Sequence, residues 1–188
     1  MIHDGEQLLH SGGEEAYHEA KELGQDCLFL GDATMGSGDG KVWFQTDADY
    51  DQFYRRYVAA RRLSANAAIE LALIHHRAYL NSPSRMGKMK VEAQKYAKLA
   101  LAHSARAFEI VEEEPSWFTK GADADLHNAE LEAHLIWEEY PAVLVGVEQA
   151  LERHPEDERF RDLQWRIEAI TGRSVHDDPE EIMGCPPS

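Results

Sequence analysis

From Asp47 to Ser82 the chain contains neither glycine nor proline, and from Lys88 to Glu114 it again contains neither. At a rise of 1.5 Å per residue, stretches of this length make helical arms of about 45 Å. Thr46 or Asp47 caps the first arm, which is expected to reach about residue 80. Asn81-Ser82-Pro83-Ser84 then breaks it, because proline disfavours helix at the residue before it and has no N–H to donate. The second arm runs from about residue 86 and stops at Pro115. The pattern predicts an antiparallel helical hairpin over 47–114, closed within one chain or exchanged across a homo-oligomer.

The flanks read as shorter elements. Three helices are expected over about 124–140, 142–154 and 156–171, separated by Pro141 and Pro155 and ended by Gly172. On the N-terminal side, acids after Gly12-Gly13 open a short helix over 14–23, with Gly24 as its stop. Cys27-Leu28-Phe29-Leu30 and Lys41-Val42-Trp43-Phe44-Gln45 are β-prone runs on either side of a glycine-rich stretch, which predicts a small β-hairpin. The fold class is therefore all-α: a long helical hairpin, three shorter C-terminal helices and a small N-terminal β-hairpin. Residues 1–172 form one domain (1–46, 47–114 and 123–172), and 173–188, rich in proline and acid, form a flexible tail.

Composition narrows the function. The formal net charge is -16, which repels nucleic acid and anionic membrane at long range. No apolar run is long enough to span a bilayer, and Met1 to Glu6 lack the basic start and apolar core of a signal peptide. Two cysteines, Cys27 and Cys185, make no disulfide framework and suit a reducing cytoplasm.

The charge is segregated along the chain. Residues 55–106 hold eleven Lys and Arg against Glu70 and Glu92, whereas 107–188 hold 21 acids against six bases. Arg55, Arg56, Arg61 and Arg62 lie among Phe53, Tyr54 and Tyr57; Lys88, Lys95, Lys98 and Arg106 share one side of the second arm. Basic residues interleaved with aromatics suit phosphate contact and base stacking. Equally, these bases can face the chain's own acids. Glu112, Glu113, Glu114, Glu132 and Glu139 are candidates for an acidic row that imitates a phosphate backbone and attracts a partner electrostatically.

Chemistry-bearing motifs are sparse. His127, Glu130, His134 and Glu138 recur at three and four residues and so share a helical face, with side chains suited to a divalent metal. That face flanks the helix's apolar stripe rather than lining it, so the metal reading is the lesser one and no cofactor is expected. His75 belongs to a stretch apolar nearly all round and reads as a buried histidine bonded to a tyrosine. Gly36-Ser37-Gly38-Asp39-Gly40-Lys41 lacks the first glycine and the following helix of a phosphate loop, and reads as a hairpin tip. No nucleophile with a base beside it stands out, so no catalytic residue is assigned. The sequence points to a non-enzymatic adaptor, assembly subunit or inhibitor that binds a protein through charged helical faces, in its sharpest form an acidic decoy for a nucleic-acid-binding protein. A nucleic-acid binder using 55–106 and a metal-binding protein using His127, Glu130 and His134 are the alternatives.

Overall fold

The computed structural model describes residues 1–36, 46–81, 87–118 and 121–173. Among them are seven α-helices and no strand: α1 Ile2–Ser11, α2 Glu14–Gly36, α3 Asp47–Asn81, α4 Gly87–Glu113, α5 Ala122–Ile136, α6 Tyr140–Arg153 and α7 Glu158–Thr171. A short 3-10 turn, Pro115–Trp117, joins α4 to α5.

The long hairpin forms as its lack of breakers predicts. Arg55 near one end of α3 meets Ser116, Arg61 meets His103, and His75 meets Met89, so α3 and α4 run antiparallel. Their seam is lined with alanine: Ala65, Ala68, Ala72, Ala93, Ala97, Ala100 and Ala107 are buried together with Ala129 and Ala133 of α5. Side chains this small let three helix axes approach near the close limit of about 8 Å. Larger groups close the two ends of the hairpin: Trp117 packs on Tyr57, Val58, Ile110 and Val111 at one, and Tyr96 lies under His75 at the other. A second core, centred on Phe160, Leu163, Ile167, Val143, Leu144 and Val147, joins α5, α6 and α7.

The N-terminal β-hairpin is not formed. Cys27 to Leu30, its expected first strand, belongs to α2, and Ile2–Ser11 is a helix that the sequence reading left unassigned. Lys41 to Gln45, the expected second strand, lies outside the described residues, as do positions 37–40 of the expected tip and the 174–188 tail, while Gly36 ends α2. Four apolar residues in a row carry no helical or strand period, and burial decided the outcome: Leu28 turns into the core while Phe29 faces out.

Gly24 does not stop α2 but lets it approach α3. A β-carbon there would overlap the Ser64 hydroxyl, and the Ser64 backbone nitrogen would lie 3.3 Å away. The true break before α2 is Gly12-Gly13, whose φ values of 72° and 98° fall in the left-handed region that glycine enters without cost. Between α5 and α6 the break is not at Pro141 alone: Glu138 adopts φ 63°, and Pro141 sits in the first turn of α6, where its missing N–H is harmless.

Ser64 Oγ is buried without a hydrogen-bond partner among the described residues. Gly24→Ala is therefore expected to cost about 1–3 kcal/mol by overpacking, outweighing about 1 kcal/mol of helix propensity. Ser64→Ala alone removes an unsatisfied hydroxyl and is expected to be neutral or stabilising by about 1 kcal/mol. In the Ser64→Ala background the cost of Gly24→Ala should fall sharply, as read from denaturant midpoints of the four proteins.

Candidate functional site

The charged residues mostly find each other. Arg62 of α3, with its side chain 16% exposed, bonds Glu6 of α1 and lies 3.5 Å from Asp125 of α5. Asp125 also takes Arg159 of α7 at 2.9 Å, and Asp157 caps α7 while holding the same guanidinium at 2.6 Å. Those bonds hold the Asp157 carboxyl below its ordinary pKa and raise that of Arg159. Arg61 turns inward, bonding the Tyr57 hydroxyl and donating to His103 Nδ1 at 3.1 Å. Lys95 pairs with Glu92 and Arg106 with Glu109, each within its own helix. Of the eight candidate bases, Arg55, Arg56, Lys88 and Lys98 face solvent without an ion pair among the described residues. The aromatics that would stack on bases are engaged by the protein: Tyr54 lies flat on Trp117 at 4.5 Å, and Tyr57 is buried.

The candidate acids do not form one row. Glu112 is exposed, while Glu114 accepts the Ser116 N–H at 3.2 Å and caps the 3-10 turn. The Glu113 side chain lies outside the described ones. Glu139 meets His134 Nδ1 at 2.5 Å. Glu132, only 7% exposed, points between helices to a two-pronged bond with Arg166 at 2.6 and 3.1 Å.

The histidine stripe is likewise dispersed. His127, Glu130 and His134 border a cavity of about 170 Å³ between α5 and α6, with Gln149 and Arg153 opposite. His127 Nε2 accepts from Arg153 at 3.2 Å, and His127 Nδ1 lies 3.7 Å from Glu130. Glu138 has left the face, because α5 ends at Ile136 and the left-handed turn carries it to Lys90 at 2.8 Å. Among the described residues no three His, Cys, Asp or Glu side chains converge as a metal site would require. His75 is half-buried as expected of a core histidine, but it stacks on Tyr96 at 5.6 Å rather than bonding a tyrosine, and its Nδ1 faces the Met89 sulfur.

The site that stands out is one the sequence reading missed. Leu73, His76, Arg77 and Leu80 recur at one-turn spacing on the last turns of α3, and Asp162, Trp165, Arg166, Ala169 and Ile170 do so on α7. They face each other across a groove of about 590 Å³ whose end is closed by Leu135, Glu138 and Tyr140. Trp165 is 72% exposed, Leu80 59% and Ile170 54%, a concentration of large apolar surface unusual outside binding sites. The groove follows from helix lengths. The Arg62–Asp125 pair sets α3 and α5 in parallel register, which puts Ile136 about level with Leu73. Beyond that level α3 continues without α5 beside it.

The base of the groove is polar and tightly held. Arg166 bridges Glu132 and Asp162, and burial lowers its tendency to stay charged less than those carboxylates raise it. Glu70, half-buried near Glu132, is pushed above the ordinary carboxylate range by burial, with Arg77 opposing. Burial also pushes His76 below the ordinary imidazole range, and its Nδ1 has no hydrogen-bond partner among the described residues. Arg77, Glu138, Asp162 and Arg166 bring both signs of charge to the lining, beside the His76 imidazole. No family model, curated protein or solved structure matches the chain, so the reading of this site rests on its own geometry.

Arg166→Ala is expected to destabilise the fold by about 3 kcal/mol, because it strands the buried Glu132 carboxylate. Glu132→Leu combined with Arg166→Met should recover most of that loss in the same denaturant titration. His76 contributes a pH dependence of known sign. Its folded pKa lies below the unfolded value of 6.5, so protonation favours the unfolded chain and stability falls as pH drops through 6.5. Glu138 and Glu132 oppose this shift, and Arg166 and Lys90 add to it. The stability of His76→Gln relative to the parent should therefore rise between pH 7.5 and 5.5.

Proposed function

We propose that this chain is a non-enzymatic helical binding protein, and that its protein partner inserts an amphipathic helix between α3 and α7. The observation that carries the reading is the pair of facing stripes, Leu73–Leu80 and Trp165–Ile170, with Trp165 at 72% exposure. Two parallel helices with side chains recurring at one-turn intervals make a trough that matches the ridge of a third helix. Tryptophan is enriched among interface hot spots, and one exposed beside other large apolar side chains is unusual outside binding surfaces. The net charge of -16 adds long-range attraction for a basic partner and raises its association rate, while the apolar groove supplies most of the holding energy. An adaptor, assembly subunit or inhibitor all fit this mode of binding. The decoy version needs a continuous acidic row, and with Glu132 internal and Glu114 engaged as a cap it has less to support it than the groove has.

The test is comparative recovery of the tagged full-length protein from its own cells at low salt. A partner retained by the parent protein and by Arg55→Glu/Arg56→Glu, but lost by Trp165→Ala/Leu80→Ala, is the expected result. Once the partner is purified, Trp165→Ala should weaken it by about 30-fold, the effect of a hot spot of about 2 kcal/mol. Trp165 is exposed, so its replacement should leave stability within about 0.5 kcal/mol. Equal retention by the groove variant, or loss only in the arginine variant, would overturn the reading in favour of the basic face.

A further inference from the structure

We propose that the cavity between α5 and α6 is a second binding site, and that it takes a free α-amino acid with a small side chain. The cavity shares no lining residue with the groove between α3 and α7, so the proposal stands apart from the reading of that groove.

The space follows from the sequence of α6. Ala142, Gly146 and Ala150 recur at every fourth residue and so share the face turned to α5. Gly146 makes the closest contact, since a β-carbon there would overlap the Leu131 side chain. On either side of that contact the two alanines leave a gap of about 170 Å³, bordered by longer polar side chains that do not fill it. A space of this size holds several waters, or one small solute in their place.

The charges at its border are what select the solute. Acids outnumber bases 35 to 19 in this chain, and Arg62, Arg159 and Arg166 each meet a carboxylate. Arg153 instead donates to His127 Nε2 at 3.2 Å and pairs with no carboxylate among the described residues. A guanidinium has no lone pair to offer, so Nε2 is the unprotonated nitrogen of a neutral imidazole. Glu130 is in the converse position. Its nearest cationic candidate is that same imidazole, with Nδ1 at 3.7 Å, beyond hydrogen-bond reach. His134 is already bonded to Glu139 at 2.5 Å. Glu112 and Asp123 border a neighbouring cavity that shares His127 and Arg153, and Asp123 lies 3.1 Å from His154 Nε2. The lining therefore holds one guanidinium and one carboxylate, each short of an opposite charge.

Their spacing sets the length of the ligand. The imidazole nitrogens are about 2 Å apart, which puts the Glu130 carboxylate and the Arg153 guanidinium at most about 9 Å from each other. An α-amino acid has its ammonium and carboxylate about 3 Å apart, and a charge-assisted bond of about 2.8 Å at each end brings its span to between 8 and 9 Å. Its ammonium would meet Glu130 and its carboxylate Arg153, with the Gln149 amide beside them and the alanine-lined floor under a small side chain. His127, packed on Phe108 at 4.5 Å, keeps the two ends of the site at a fixed separation. A zwitterion carries no net charge, so the field of a chain at -16 does not oppose its entry as it would that of a simple anion.

Titration of the full-length protein with glycine, L-alanine, L-serine and L-valine, followed by NMR at the Gly146 and Gln149 amides and the His127 ring, is the test. At least one of the four should give saturable shifts at these positions while the Trp165 indole signal stays in place. Propionate, which lacks the ammonium, and propylamine, which lacks the carboxylate, should each bind at least about ten-fold more weakly, the loss expected of one charge-assisted hydrogen bond. Arg153→Gln and Glu130→Gln should each weaken the amino acid by the same factor. Both side chains reach solvent, so the rest of the spectrum should be unchanged; should either variant fail to fold, the propionate and propylamine comparison on the parent protein still decides. No saturable shift with any of the four at tens of millimolar, affinity for propionate or propylamine equal to that for the amino acid, or binding unaltered in both folded variants would overturn the proposal.

Discussion

Asp125 holds the molecule in register. It lies 3.5 Å from Arg62 on α3 and 2.9 Å from Arg159 on α7, and Arg62 reaches on to Glu6 on α1. Two turns further along α5, Glu132 takes Arg166 of α7, and both α5–α7 pairs are 34 residues apart in sequence. A repeat of the same offset after two turns of each helix fixes α7 parallel to α5 and forbids it to slide. Such pairs give little net stability against an apolar replacement, but each penalises any other register by leaving a carboxylate or guanidinium unmatched. The alanine seam needs that restraint. Small side chains pack at almost any sliding position, so they set the separation of α3, α4 and α5 without setting their stagger.

The groove is a consequence of the register so fixed. With Arg62 held at Asp125, the end of α5 at Ile136 falls near Leu73, and the last turns of α3 extend beyond it. Leu80 and Tyr79 then have α7 across from them but nothing between. Had α5 run on to Tyr140, as an uninterrupted pattern suggested, its side chains would fill the trough. The left-handed turn at Glu138 ends it, at a cost of about 1 kcal/mol for a residue with a side chain, offset in part by the bond from Lys90. The break that shapes the groove thus lies in a residue that carries no sequence signal for breaking.

The long arms were legible because their limits are written in glycine and proline, whose backbone effects are local. The ends of α3, α4 and α7 fall within a residue or two of where Thr46, Pro83, Pro115 and Gly172 place them. Cys27 to Leu30 failed for the opposite reason: a run with no period takes its structure from what it packs against, and Leu28 found the Tyr57–Trp117 cluster as part of a helix. Gly24 looked like a stop because glycine has two uses, and the close approach to Ser64 can be seen only in three dimensions. The charge segregation was real in the sequence but not interpretable from it, since Arg62 and Glu132 look no different on paper from Lys98 and Glu112. Trp165 shows the same limit for the site. An exposed tryptophan and a core tryptophan occupy the same positions in a helical pattern, and only the end of α5 decides which it is.

In the proposed reading, charge and groove would divide the work of recognition between distance and contact. At separations beyond about 10 Å, salt screens individual pairs and a partner senses mainly the net charge of -16, which favours basic surfaces and disfavours nucleic acid. At contact, the groove's charges are balanced, with Arg166 shared between Glu132 and Asp162, Glu138 held by Lys90 and Arg77 acting on the half-buried Glu70, so the apolar stripes would supply the holding surface. A partner that satisfies both would carry basic residues away from its docking ridge and an apolar ridge facing the groove. Two such conditions exclude more candidates than either alone, because a uniformly basic helix would bury charge against Leu80, Trp165 and Ile170 and a uniformly acidic one would be repelled before it arrives.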